Sequence, residues 1–145
     1  MGSLIIEKLL ENEVELFVDQ TIKQDFPNLN LANESHFETE FLDLKLAVKV
    51  VDSVDQAIEH IKVYSSGHTE AILTESNEVA DTFAKSIDSS VIFINSSTRF
   101  TDGEMFGFGS EIGISTQKLH VRGPMGLEAL TNERYVVTGE GTVRG

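Results

Sequence analysis

The chain has no cysteine, no tryptophan, only two prolines, and 11 basic residues against 24 acidic ones in 145. Without cysteine this chain has no disulfide, no thiolate metal site and no cysteine nucleophile. The scarcity of bases leaves a formal net charge of -13. The overall field of such a chain repels phosphate, which argues against nucleic acid and anionic membrane as partners. No apolar run approaches the roughly 20 residues needed to span a bilayer. The start, "MGSLIIEKLL", lacks a basic leader, so no signal peptide is expected and a cytoplasmic location follows.

The few bases are unevenly placed. All four arginines, Arg99, Arg122, Arg134 and Arg144, lie beyond residue 94, whereas 18 of the 24 acids lie before it. Arginine's planar fork suits carboxylate and phosphate better than lysine does. An anion site is therefore sought in the last third, against the plainer reading of four scattered surface arginines.

The middle of the chain carries strong periodicity. "LKLAVKVV" alternates as a strand, with Leu44, Leu46, Val48 and Val50 on one face and Lys45 and Lys49 on the other. "DSVDQAIEHIKVY" places Val54, Ala57, Ile58 and Ile61 on one helical stripe, with Ser53 and Gln56 at capping-box spacing. "TEAILT" reads as a strand. "SNEVADTFAKSI" reads as a helix capped by Ser76, with Val79, Ala80, Phe83, Ala84 and Ile87 on one face. "SVIFIN" reads as a buried central strand. Earlier, Ser3 is expected to cap a helix, a short strand follows around Val14–Val18, and residues 19–39 read as an irregular connection. The β-α-β-α-β order predicts an α/β fold with a parallel sheet and right-handed crossovers. Ligands of such sheets sit beyond the carboxyl ends of the strands.

The segment "NSSTRFTDGEMFGFGSEIG" begins at such an end. Six of the eleven glycines lie between Gly103 and Gly126. Glycine lets backbone approach a ligand closely, and Arg99 suits an anionic group unless Asp102 or Glu104 in its own loop ties it up. "GFGSEIG" is one residue too long for the dinucleotide fingerprint, and no P-loop is present. The four histidines show no metal-ligand spacing, and no nucleophile elbow supports a triad. If residues 116–122 are extended, Lys118, His120 and Arg122 share one face. "RYVVTGEGTVRG" reads as a strand, a glycine turn and a terminal extension.

Taken together, "NSSTRFTDGEMFGFGSEIGISTQKLHVRGPMGLEAL" and "EFLDLKLAVKVVDSVDQAIEHIKVYSSGHTEAILTES" resemble the C-terminal part of the γ-glutamyl phosphate reductases, within the aldehyde dehydrogenase superfamily. The resemblance runs from about Leu4 onward. It implies an NADPH-dependent reduction of γ-glutamyl phosphate to glutamate 5-semialdehyde in proline biosynthesis, through a cysteine thiolate that this chain does not contain. It implies that Glu40 touches the nicotinamide ribose, and that Ser97, Thr98, Arg99, Phe106, Gly107, Lys118 and Arg122 belong to the substrate wall. It implies a homo-oligomer joined through about residues 133–145. On this reading the chain is one partial domain of the catalytic region, a fragment inactive alone, with no catalytic residue and no metal of its own. NADP(H) would belong to the complete enzyme and not bind to this chain alone. The alternative is a non-catalytic binding or interaction module derived from that fold.

Overall fold

A computed structural model describes residues 2–141 and 143–145. The chain falls into two compact units, one of residues up to Ser65 together with Asp81–Ile87, the other of Ser66–Ala80 and Asp88–Gly145.

In the first unit, helix α1 (Gly2–Glu11) leads into strand β1 (Glu15–Val18), helix α2 (Gln20–Asp25), strand β2 (Asn30–Leu31), helix α3 (Glu34–Glu38), strand β3 (Lys45–Val48) and helix α4 (Val54–Tyr64). The strands form a parallel sheet of order β2-β1-β3. Strand alternation turns Leu16 and Val18 inward, where they pack with Ile6 of α1 and Ile22 of α2. Leu16 is 2% exposed and Val18 fully buried. Burial of a side chain of this size contributes about 1.5–3 kcal/mol.

Several expectations need correction here. Ser3 lies inside α1, which already includes Gly2, so it is not the cap. Residues 19–39 are not irregular. Asp19 accepts from Ile22 N at 2.9 Å and starts α2, and Asn33 caps α3. Each of these elements is too short to show a periodic stripe. The apolar face of β3 and its flanking residues is only partly covered: Val48 packs against the core, while Leu44, Leu46 and Val50 are exposed.

The α4 reading holds, with Ile58 buried and Ser53 Oγ accepting from Gln56 N at 3.2 Å. The Gln56 side chain accepts from Asp52 N rather than from Ser53 N. Helix α5 (Asn77–Ser86), within which the division between units falls, is capped by Ser76. Ala80, Phe83 and, just past its end, Ile87 are buried as the stripe predicts.

The second unit carries strands β4 (Thr69–Ile72) and β5 (Val91–Ile94), paired in parallel, and β6 (Gly113–Ser115) and β7 (Gly123–Met125), paired antiparallel. The parallel strands of the β-α-β-α-β series are thus real but divided between two sheets. A crossover helix fixes strand direction without requiring adjacency. Strand β5 is half-buried, with Ile94 exposed, because it pairs with β4 alone in its sheet. Residues 131–140 belong to no helix or strand. The expected terminal strand has no partner in the described chain, and an unpaired strand is not stable by itself.

Candidate functional site

The site is built outward from the end of β5. Asn95 has φ +54°, in the left-handed region that asparagine tolerates better than other non-glycine residues. The amide of its side chain grips one residue from both sides. Asn95 Oδ1 accepts from Thr74 N at 2.8 Å, and Asn95 Nδ2 donates to Thr74 O at 2.8 Å. With Asn95 N donating to Ile72 O, the β4–β5 ladder continues one step past its last strand pair.

The chain then enters a single 3-10 turn, Thr98–Phe100. Ser97 Oγ accepts from Arg99 N at 3.2 Å and caps it. Thr101 Oγ1 lies 3.1 Å from Thr69 Oγ1, fastening the turn to the start of β4. Asp102, a possible local partner for Arg99, is used otherwise: its carboxylate accepts from Glu104 N and Met105 N. Arg99 is exposed and makes no ion pair among the described residues.

A compact loop follows. Phe108 N donates to Gly103 O at 2.8 Å, and Gly103 N to Glu111 Oε2 at 3.1 Å. Gly107 takes φ +82° between Phe106 and Phe108, whose rings meet edge to face at 5.9 Å. Both rings remain partly exposed.

Residues 116–122 do not form the expected strand. Strand β6 stops at Ser115, and His120 takes φ +69°, which breaks the alternation meant to align Lys118, His120 and Arg122. Lys118 and Arg122 nevertheless converge, on Asp88 before β5. Lys118 Nζ pairs with Asp88 Oδ2, Arg122 Nη1 donates to Asp88 Oδ1 at 2.9 Å, and Arg122 Nη2 donates to the Asp88 carbonyl. Hydrogen bonds from Lys118 and then Arg122 hold the Asp88 carboxyl below the usual carboxylate range. Arg122 Nε is buried without a hydrogen-bond partner. A cavity of about 470 Å³ opens here, lined among others by Gly107, Phe108, His120, Arg122, Gly126 and Glu128.

The second unit therefore gathers Ser97, Thr98 and Arg99 in one turn, and Gly107 and Arg122 on one cavity. Phe106 is next in sequence to the lining residue Gly107 but does not itself line that cavity. Glu40 belongs to the first unit, exposed on the link between α3 and β3. Sequence reasoning overlooked Asn95 and Asp88. Asparagine directly after an apolar strand is a usable signal for a left-handed turn; nothing local marks Asp88.

Asn95→Ala should destabilise the chain by about 1–2 kcal/mol, from two lost hydrogen bonds and the left-handed backbone. Urea unfolding measures this. Asn95→Gly should recover the backbone share and not the hydrogen bonds. Equal stability of the alanine and wild-type chains would show that the clamp contributes nothing.

No family model matches the chain. Among curated proteins it is 53% identical over 141 residues to gamma-glutamyl phosphate reductase of Thermoanaerobacter sp., covering 97% of this chain and 34% of that protein. It is 54% identical over 143 residues to the Bacillus cereus protein of the same name, again 34% of its length. The crystal structure of gamma-glutamyl phosphate reductase from Thermotoga maritima matches 99% of this chain at TM-score 0.90 and 50% identity, covering 34% of that chain. The Saccharomyces cerevisiae enzyme matches 71% of this chain at TM-score 0.53 and 38% identity, covering 28% of that chain. The chain spans about a third of the length of the curated relatives it matches, and over that length it is similar to gamma-glutamyl phosphate reductases.

Proposed function

We propose that the chain supplies a substrate wall and a cofactor-facing edge of an NADPH-dependent γ-glutamyl phosphate reductase acting in the cytoplasm, and that it does not catalyse the reduction by itself. The observation that carries this reading is Arg99, free of ion pairs among the described residues and presented by a capped turn just beyond the carboxyl end of β5. A guanidinium in that position can hold a carboxylate or phosphate through paired, charge-assisted hydrogen bonds. Ser97 and Thr98 flank it with hydroxyls. Phe106 and Gly107 form the mouth, the ring excluding water and the glycine letting backbone approach the substrate chain. Lys118 and Arg122 contribute through Asp88, which orders them.

A bound nicotinamide cofactor would supply the hydride. The residues present fit one part of it: Glu40, exposed on its link, can accept hydrogen bonds from ribose hydroxyls. The sequence offers no dinucleotide fingerprint or P-loop for the cofactor's phosphates.

Exposed apolar residues support the view that other segments complete the fold. Leu4 and Ile5 on α1, and Tyr135, Val136 and Val137 near the end, stand in solvent. On the same reading residues 133–145 pair with a second copy.

Titration of the chain with inorganic phosphate or glutamate, followed by NMR, tests the site. Amide shifts should cluster at residues 97–109, with Kd no tighter than about 1 mM because the site is open on one side. Arg99→Ala should abolish them. Shifts scattered over the surface, or unchanged in the variant, would sink the assignment.

A further inference from the structure

Glu40 follows a helix of five residues, and a helix that short has too few internal hydrogen bonds to persist by itself. What holds α3 is therefore what holds Glu40. One end is closed reciprocally. Asn33 Oδ1 accepts from His36 N at 3.3 Å, and Asn33 N donates to His36 Nδ1 at 2.9 Å. Ser35 Oγ donates to the same Asn33 Oδ1 at 2.7 Å. The other end is closed by Thr39 Oγ1, which donates to Ser35 O at 2.6 Å.

The His36 ring also packs. It stacks on Phe17 of β1 at 4.1 Å with 16° between planes, and Phe17 in turn stacks on Phe41 at 5.5 Å. Phe41 is the residue after Glu40. On the same helix, Phe37 meets the edge of His60 of α4 at 5.0 Å and lies 5.8 Å from Tyr64. One imidazole thus links the cap of α3, the face of β1 and, through Phe17, the ring beside Glu40.

That arrangement fixes a protonation state. A ring nitrogen that accepts from a backbone N–H has a free lone pair. In His36 that nitrogen is Nδ1, so the proton sits on Nε2. An imidazolium carries protons on both nitrogens and cannot accept.

We infer that His36 is a positioning residue for Glu40, acting as a neutral Nε2–H ring whose protonation opens the α3 cap and loosens the link that carries Glu40. The ring stacks on Phe17, lies near Phe41 and accepts from Asn33, and none of these three titrates. Glu34 and Glu38 are the charged residues of its own helix. His60 and Tyr64 are the other titratable rings against α3, both through Phe37; burial and then Lys49 hold His60 below the ordinary imidazole value. The functional consequence rests on the cofactor-facing reading of Glu40, but the switch itself does not.

Ring 15N NMR of the whole chain, between about pH 8 and about pH 5, where imidazoles change charge, decides it. At the upper end His36 should show a protonated Nε2 and a bare Nδ1. On acidification the amides of Asn33 and residues 34–41 should move with the midpoint of the His36 ring, read separately from that of His60. Exchange protection of the Asn33 amide should fall by about three- to ten-fold. His36→Gln places the usual capping-box residue at this position, so it should keep the cap and abolish the titration of those amides. A protonated Nδ1, or amides at residues 33–41 that ignore the His36 midpoint, would overturn the inference using the wild-type chain alone. If the ring behaves as described but Glu40→Gln leaves the KM for NADPH unchanged once a second polypeptide carrying the unmatched segment of a relative has restored NADPH consumption, the cofactor-facing reading of Glu40 fails while the clasp stands.

Discussion

Gly126→Ala should destabilise the chain by about 1–3 kcal/mol, and it should abolish the response of residues 97–109 to phosphate. Gly126 is buried directly after β7. A Cβ added there would lie 2.8 Å from Phe108 O, 2.9 Å from Phe108 Cβ and 3.0 Å from Ser110 O. Two of the three atoms are backbone, so no rotamer change relieves the clash. The loop over residues 103–111 must move or β7 must. Either shift disturbs the Phe108 N to Gly103 O bond at 2.8 Å or the Ile112 N to Met125 O bond at 2.8 Å. Overpacking of a close-packed site has this order of cost. Gly107→Ala separates crowding from backbone conformation. Its Cβ would meet nothing within 4 Å, and only the φ of +82° is unfavourable. That substitution should cost about 1–2 kcal/mol. Urea unfolding of the two variants gives the order. A Gly126→Ala chain as stable as wild type, or a larger loss in Gly107→Ala, would mean that the contact between the loop and β7 does not hold the site together.

How far the sequence foretold this fold depended on the reach of each signal. The helices α4 and α5 were legible because both are ten residues or more, with an apolar stripe and a serine cap. Helices α2 and α3 were not, since six and five residues cannot display a stripe. Their caps, Asp19 and Asn33, were the only local signal. The alternation of residues 118–122 was real in the sequence, yet the positive φ of His120 defeats it. The convergence on Asp88 that replaces it spans 30 and 34 residues. No local pattern encodes a contact at that separation.

The candidate site divided along the same line. Arg99, though not its cap by Ser97, could be read locally, because the glycines and the strand before them mark a loop at a strand's carboxyl end. The grip of Asn95 on Thr74, 21 residues away, could not. The face of β3 shows a different limit. Its apolar alternation puts Leu44, Leu46 and Val50 on one face, and all three are exposed. Apolar pattern reports which face is fit for burial, while coverage depends on what else is present to pack against it.

The chain purified alone should consume no NADPH in the presence of γ-glutamyl phosphate above the rate in buffer, and should form no NADPH from NADP, phosphate and glutamate 5-semialdehyde. Reduction of an acyl phosphate by the route proposed needs a thiolate to form the acyl-enzyme, and the 145 residues contain no cysteine. Serine and threonine hydroxyls are present at the mouth, but Ser97 Oγ is engaged as a cap on Arg99 N, and no nucleophile elbow activates the others. Positioning by Arg99 alone, on an open site, raises no nucleophile's reactivity. Adding a second polypeptide that carries the segment of a relative not matched here should restore NADPH consumption if this chain is an enzyme part. That restored rate should fall sharply with Arg99→Ala, because binding energy at the anion is then lost from the reacting complex. Restoration that ignores Arg99 would remove the substrate wall from the reading. Failure to restore any rate, with phosphate binding intact, would favour a binding module over an enzyme part. NADPH consumption by the isolated chain, dependent on γ-glutamyl phosphate and lost in Arg99→Ala, would overturn the proposal, since a nucleophile other than a thiol would then have to reside within these residues.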